Sequence, residues 1–453
     1  MPPRFLVSLF ALLLPGLTRG ALAAAPVAAA PPAATFNVRD FGAKADGTTK
    51  DTAAFQKALD TCAVSGGGRV RVPAGHYLIG SIQLGYRTTL LLEAGSIITG
   101  SPDLADYPMI DVRWEGRWQP GRRGLIYAAN VDHIGIVGPG RIEGTHTGTN
   151  APDGTRNPVV LEPISCQDVR WEGFTVTQGG NWATHPTYCT DLVITGVNIS
   201  GGRDGIDVDS CRHVRIEDSV IVTGDDSISL KSGRGMDGAR LGLPCEDILI
   251  TGCDLTDQRF ACVGIGSEIS GGVRQVRIEH CKLAAPRSFA IYLKTRIGRA
   301  GANSDITGED LDLVAGSFLR INLTKGGNAS TADDPVGGLV GYPSAQNLGF
   351  SHVRVKAQTL VEADEISALK PLRGLVLSDI TGTCTQGITL ANVTAAQLSG
   401  IAVTGFSGPL LRTAHVTGTG LEGAVAIPAP VDPPPGNARG NPRRQRPGPA
   451  PAT

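Results

Sequence analysis

Aromatic residues are scarce in this chain, at 5 % of 453 residues, with only four tryptophans and three methionines. A core without large side chains is aliphatic and closely layered, which argues against a helical bundle. Excess charge of either sign is also missing. A formal net charge of −1 leaves no basic footprint for nucleic acid and no broad field to steer a polyanion, so any acidic partner has to be recognised locally. The apolar run Phe5–Leu17 is too short for a stable bilayer anchor, and no membrane partner is expected. It follows Met1-Pro2-Pro3-Arg4 and precedes Ala21-Leu22-Ala23, the layout of a cleavable export signal, so the mature chain is expected to be secreted or periplasmic.

Glycine is abundant instead, with 60 residues, nearly double the usual ~7 %, so turns are frequent. The turns separate a repeat. Cysteines followed by alternating aliphatics run Cys166…Val169…Trp171, Cys189…Leu192…Ile194, Cys211…Val214…Ile216 and Cys245…Ile248…Ile250. Val273…Val276…Ile278 continues them without its cysteine. Successive copies lie 23, 22, 34 and 28 residues apart. Gly-rich coils of about 22 residues with period-2 apolar positions predict an all-β solenoid, a right-handed parallel β-helix, in which each coil closes its backbone hydrogen bonds on the coils beside it. A leucine-rich horseshoe is the alternative, disfavoured by the missing leucine consensus. Four of the nine cysteines share one repeat position, and stacked at strand spacing they read as a buried ladder of free thiols rather than a set of bridges.

Helical spacing over Asp51–Cys62 places Phe55, Ala58, Leu59 and Cys62 on one side, a candidate cap for the open end of the solenoid. The expected organisation is a signal peptide over residues 1–25, a linker over 26–35, one β-helix over 36–425 and a disordered tail over 426–453. The tail is rich in Pro, Gly and Arg and cannot bury a core. A single chain acting as a monomer is expected.

The repeat brings acids together. Counting fifteen residues from each repeat start gives Asn181, Asp204, Asp226 and Phe260 as one outward column, with Asp225 beside Asp226. Carboxylates stacked about 5 Å apart repel when ionised, so at least one keeps its proton to higher pH, as a general acid must. Isolated aspartates such as Asp207 and Asp209 read instead as caps of backbone amides in turns. Converging carboxylates also fit calcium.

At these residues the chain resembles glycoside hydrolase family 28, the polygalacturonases and their relatives, from about Phe36 to about Thr324. The resemblance is carried by Phe-x-Val-x-Asp-Phe-Gly-Ala-x-x-Asp-Gly at Phe36–Gly47, Thr184-His185-Pro186, Asp204-Gly205-Ile206-Asp207, Gly224-Asp225-Asp226, Ile265-Gly266-Ser267-Glu268 and Lys294-Thr295-Arg296. It implies a secreted hydrolase that cleaves α-glycosidic bonds in pectin-type or related glycans with inversion, without metal or cofactor. Asp225 would be the general acid, with Asp226 and Asp204 activating water. Lys294 would bind substrate, and His185 matches the family pattern.

The departures concern recognition. Arg203 replaces the middle residue of the family's Asn-Thr-Asp, the family histidine falls on Phe260, and the family arginine falls on Tyr292. A tyrosine cannot replace a bidentate guanidinium for a uronate carboxylate. Tyr292 and Phe260 would offer apolar faces to a neutral or deoxy sugar. Arg203 would either reach Asp225 or lie along the groove as an anion contact. Two other functions remain open at this point, a calcium-dependent lyase on the same scaffold and a noncatalytic glycan-binding solenoid. The segment Pro102–Asn157 is long enough to wall off one end of a groove.

Overall fold

A computed structural model of the protein describes residues 34–433 apart from 147, 179–180 and 328–333. The expected signal peptide and most of the expected disordered tail lie outside these residues.

Each coil carries three short strands, for example Thr190–Thr195, Asn198–Gly201 and Ile206–Asp209, and each strand pairs in parallel with its counterpart in the next coil. The apolar repeat is the register of this stack. Val169, Leu192, Val214, Ile248, Val276 and Ile306 lie side by side in successive coils and are all buried. Because side chains alternate across a strand, Trp171, Ile194, Ile216, Ile250 and Ile278 form a second interior row two residues on. The result is a long all-parallel β-helix; a leucine-rich horseshoe does not place three strands in each turn. The residue before each first aliphatic bends the chain. Asp168, Asp191, His213, Asp247, Gln275 and Asp305 all have φ between 52° and 56°. Asp, Asn and His are the non-glycine residues that tolerate this left-handed region best, which accounts for most of the row.

The cysteine ladder is present. Cys166, Cys189, Cys211 and Cys245 stack in register and Val273 takes the fifth place, and all nine cysteines are buried and unbridged. The N-terminal helix runs Thr52–Val64 and buries Phe55, Ala58, Leu59 and Cys62 against the first coils, with the Phe55 ring edge-on to Tyr77 at 5.3 Å. Later coils continue through Ser344–Glu365, Leu372–Thr404 and Leu411–Thr419.

Both ends extend past the boundaries read from sequence. Thr35–Asn37 already pairs with Arg69–Arg71. Val425–Ala426 pairs with Arg412–Thr413, and Ser367 donates to Asp432 Oδ2 at 2.6 Å, so the start of the Pro-rich segment is tied to the last coils.

One insertion breaks the pattern. Met109–Trp114 and Arg117–Arg122 form an antiparallel hairpin, the one such pair of strands among the described residues. Its turn residues Glu115 and Gly116 have φ of 43° and 79°, the positive pair that matches the twist of a two-residue hairpin.

Candidate active site

The strands Ile206–Asp209, Ile228–Lys231, Ala261–Gly266 and the end of Lys282–Lys294 lie next to one another on one face. Ile206, Val208, Ile228 and Leu230 point into the core, so Asp207, Asp209, Ser229 and Lys231 point outward. They are nevertheless buried, because the hairpin and the turn around Trp182 cover them.

Asp204 and Asp226 occupy equivalent places just before two of these strands, as their spacing implies. The rest of the expected column shifts by one residue. Thr184 pairs with Ile206, which sets Trp182 rather than Asn181 beside Asp204. Val263 pairs with Ile228, which sets Ala261 rather than Phe260 beside Asp226. Each shift comes from one extra residue in the turn leading into the strand, which a fixed count from the cysteine cannot register.

Asp204, Asp225 and Asp226 line one cavity of about 210 Å³ together with Trp182, Arg203, Lys231, Phe260, Glu268 and Lys294. Each acid has a cationic neighbour. Arg203 Nη2 lies 3.2 Å from Asp225 Oδ2 while its Nη1 donates to Thr149 Oγ1 at 2.6 Å. Of the two placements open to Arg203, the one reaching Asp225 is observed. Lys294 Nζ donates to both oxygens of Asp226, at 2.7 and 3.0 Å. Lys231 Nζ lies 3.4 Å from Asp204 Oδ2 and pairs more closely with Asp207.

Burial pushes the Asp226 carboxyl up to about 6, with Asp225 adding to the rise and Lys294 holding it down. Burial also raises Asp204 well above the usual carboxylate range; Asp207 beside it adds to this and Lys231 opposes it. Glu268 goes the other way. Despite burial it falls to about 2, because Lys231, Arg299, Arg234 and Lys294 surround it. The four acids Asp204, Asp207, Asp225 and Asp226 therefore sit against three cations, Arg203, Lys231 and Lys294, which compete with calcium for their oxygens. Among the described residues no group of three His, Cys, Asp or Glu has metal-holding geometry.

Two contacts shape the cavity. Trp182 stacks on Trp114 of the hairpin with ring centroids 4.1 Å apart, and the Lys231 ammonium lies 3.6 Å from the Trp182 ring centre. At the hairpin tip Glu115 pairs with Arg234 at 3.0 Å, and Gly116 lies so close to Gly233 and Arg234 that a β-carbon would collide with their backbone. On the opposite side Gly264 leaves room for the Asp226 carboxylate, which a β-carbon there would strike.

Not every residue read from sequence reaches this cavity. Asn181 is buried and donates to the Asn157 carbonyl at 2.6 Å. His185 is buried edge-on to Trp182 and 3.8 Å from Asp209, so its place is beneath the wall. Tyr292 is half-buried, packs on Phe289 with centroids 4.5 Å apart and stays off the cavity lining; its ring centre is 5.5 Å from the Lys294 ammonium. Phe260 does reach the cavity and is 39 % exposed, with the same ammonium 5.1 Å from its ring. Asp207 and Asp209 are not amide caps. They answer Lys231 and Arg113, the latter at 3.0 Å. Lys231, Trp182, Glu268 and Glu115 escaped sequence reasoning as cavity residues. Two signals were available, the motif Ile265-Gly266-Ser267-Glu268 for Glu268 and, for Lys231, a lysine closing the otherwise apolar-alternating strand that follows Gly224-Asp225-Asp226.

The model of the glycosyl hydrolases family 28 matches residues 62–317. A probable polygalacturonase of Vitis vinifera is 30 % identical over 375 residues, which are 78 % of this chain and 73 % of that protein. A probable polygalacturonase of Arabidopsis thaliana is 27 % identical over 308 residues, 66 % of this chain and 63 % of that protein. Among solved structures, a family 28 exopolygalacturonase of Yersinia enterocolitica superposes with a TM-score of 0.70 at 18 % identity, over 89 % of this chain and 80 % of that one, a likeness of fold. Taken with the span of the family match, the 30 % identity held over 78 % of the chain means that this protein belongs to the glycosyl hydrolases family 28.

Proposed function

We propose that the protein hydrolyses α-glycosidic bonds in a pectin-type glycan with inversion, using Asp204, Asp225 and Asp226. The observation that carries this reading is the convergence of these three aspartates, out of two adjacent coils, in one cavity beside buried cations. An inverting hydrolysis needs one carboxyl to protonate the leaving oxygen and another to activate water from the opposite side. The resemblance gives the first task to Asp225 and the second to Asp226 and Asp204. Pectin as the substrate class is supported by the polygalacturonase names of the relatives. The sugar in the cleavage site is proposed to be neutral or deoxy, since Lys294 is engaged by Asp226, Tyr292 stands where the family has arginine, and Phe260 offers an apolar face. The apolar run after Arg4 supports export.

Each of Asp204→Asn, Asp225→Asn and Asp226→Asn is expected to lower reducing-sugar release from defined pectic oligosaccharides, rhamnogalacturonan fragments included, by about 10²–10⁴-fold. Near-full activity in all three overturns the assignment. Unsaturated products absorbing in the ultraviolet would mark a lyase, and binding without turnover a noncatalytic protein.

Attack from a chain end is favoured by the hairpin. Its tip contacts the backbone at Gly233–Arg234, and Met236 N in turn donates to the Asp334 carbonyl at 2.8 Å, so three segments meet next to Glu115, which lines the cavity. Mono- or disaccharides as the earliest products support this, whereas a ladder of intermediate lengths refutes it.

A further inference from the structure

Asp204 and Asp207 flank a single ammonium group. Lys231 Nζ is 3.4 Å from Asp204 Oδ2 and in closer contact with Asp207 Oδ1. All three side chains are buried. The Trp182 ring lies over the ammonium at 3.6 Å, and Trp114 holds that ring in place. Asp204 Oδ1 has no hydrogen-bond partner among the described residues, and it belongs to a residue that lines the cavity.

The neighbouring charges are matched elsewhere. Asp225 faces Arg203, and Asp226 faces Lys294. On the far side Asp209 faces Arg113 and His185, at 3.0 and 3.8 Å. Glu268 has Arg299 at 3.9 Å, and Glu115 has Arg234 at 3.0 Å. Asp204 and Asp207 share the Lys231 ammonium in direct contact, while Glu268 faces the same ammonium from further off, the Arg203 guanidinium acts on Asp204 and the His185 ring on Asp207. Two buried carboxylates beside one ammonium do not both ionise without a large desolvation cost, so the pair retains a proton. The closer contact to Asp207 gives that acid first claim on the ammonium and leaves the proton with Asp204.

We infer that Lys231 and Asp207 are positioning residues, and that Asp207, by competing for the Lys231 ammonium, decides whether Asp204 carries a proton. Its kinetic consequence rests on the hydrolytic role proposed above; the titration of Asp204 does not. The two residues pull in opposite senses. Removing the charge of Asp207 hands the ammonium to Asp204 and favours its ionised form, whereas removing Lys231 disfavours it.

The test is a carbon-13 NMR titration of aspartate carboxyls in the full chain, with the Asp204 resonance assigned by its loss in Asp204→Asn. In the wild type Asp204 is expected to hold its proton well above the ordinary carboxylate range. Asp207→Asn should lower its midpoint and Lys231→Met should raise it, each by about one unit or more. Lys231→Arg should stay near the wild type. The pH profile of kcat/KM should move in the same opposite directions, a pattern that a general loss of packing does not produce. Ordinary titration of Asp204 in the wild type overturns the inference even where a variant fails to fold. Shifts of the same sign in both variants, or no shift in variants with native circular dichroism, overturn it as well. Opposite shifts in a protein inactive on every glycan would uphold this pairing and refute the hydrolytic role.

Discussion

Replacing Lys294 with methionine tests the buried pair at Asp226, and the cost can be bounded in advance. Both side chains are almost fully enclosed, and the ammonium donates to both carboxylate oxygens. At an effective dielectric of about 20, a pair of unit charges 4 Å apart is worth about 4 kcal/mol. The loss at neutral pH is smaller, because a stranded carboxylate takes up a proton. In the wild type Asp226 protonates at about 6 against an ordinary 3.8. In the variant it protonates higher still. Between those two folded values the native variant holds a proton that the unfolded chain has released, so its stability falls with rising pH by about 1.4 kcal/mol per unit relative to the wild type. The extra destabilisation should be small near pH 6 and grow to about 1 kcal/mol and then about 3 kcal/mol over the next two pH units, levelling off near the Coulomb limit above that. Urea unfolding of the two proteins at each pH, analysed by linear extrapolation, measures this directly. A difference that is independent of pH, or that shrinks as pH rises, refutes the pairing. For the wild type the same sign applies. The raised Asp226 value weakens the fold as pH climbs from 3.8 to about 6, so part of the stability of this region is given up to keep a titratable acid in the cavity.

Gly264→Ala should cost activity without unfolding the coil, because the new methyl group displaces the Asp226 carboxylate from Lys294; unchanged kcat would show that the carboxylate tolerates the move. Trp114→Ala removes the ring stacked on Trp182 and should destabilise by about 3–5 kcal/mol in urea unfolding while raising KM. Loss of stability with no change in KM would separate the hairpin from substrate binding. Arg156→Met strands Glu162, its buried partner at 2.6 Å, removes the guanidinium 5.8 Å from the Trp114 ring, and is expected to cost about 3–5 kcal/mol. An effect below 1 kcal/mol would mean that the site relaxes to let water in.

The stack of coils could be read from sequence because it is a repetition. Val169, Leu192, Val214, Ile248 and Val276 pair as their spacing implies, and so do the coil positions of Asp204 and Asp226. Repetition also caused the errors. A turn one residue longer moves Trp182 and Ala261 into the places assigned to Asn181 and Phe260. The buried charges at Asp207, Asp209 and Lys231 were hidden for a different reason. These positions face outward in the solenoid, and what buries them is a hairpin outside the repeat, whose Arg113 meets Asp209 from 96 residues away. Nothing periodic announces such a contact. The three aspartates and Lys294 were legible as chemistry, while their counter-ions and the wall above them depended on tertiary packing.

The nine unbridged cysteines give the molecule a clock. Folded, they are sealed in the core, where burial raises the thiol pKa of Cys189, Cys245 and Cys262 and suppresses the thiolate that oxidation requires. Once a coil opens in an oxidising solution, neighbouring sulfurs of the ladder meet oxidant and one another, and any disulfide formed there obstructs closure. Persistence outside a reducing environment is then governed by how seldom the stack opens rather than by its equilibrium stability.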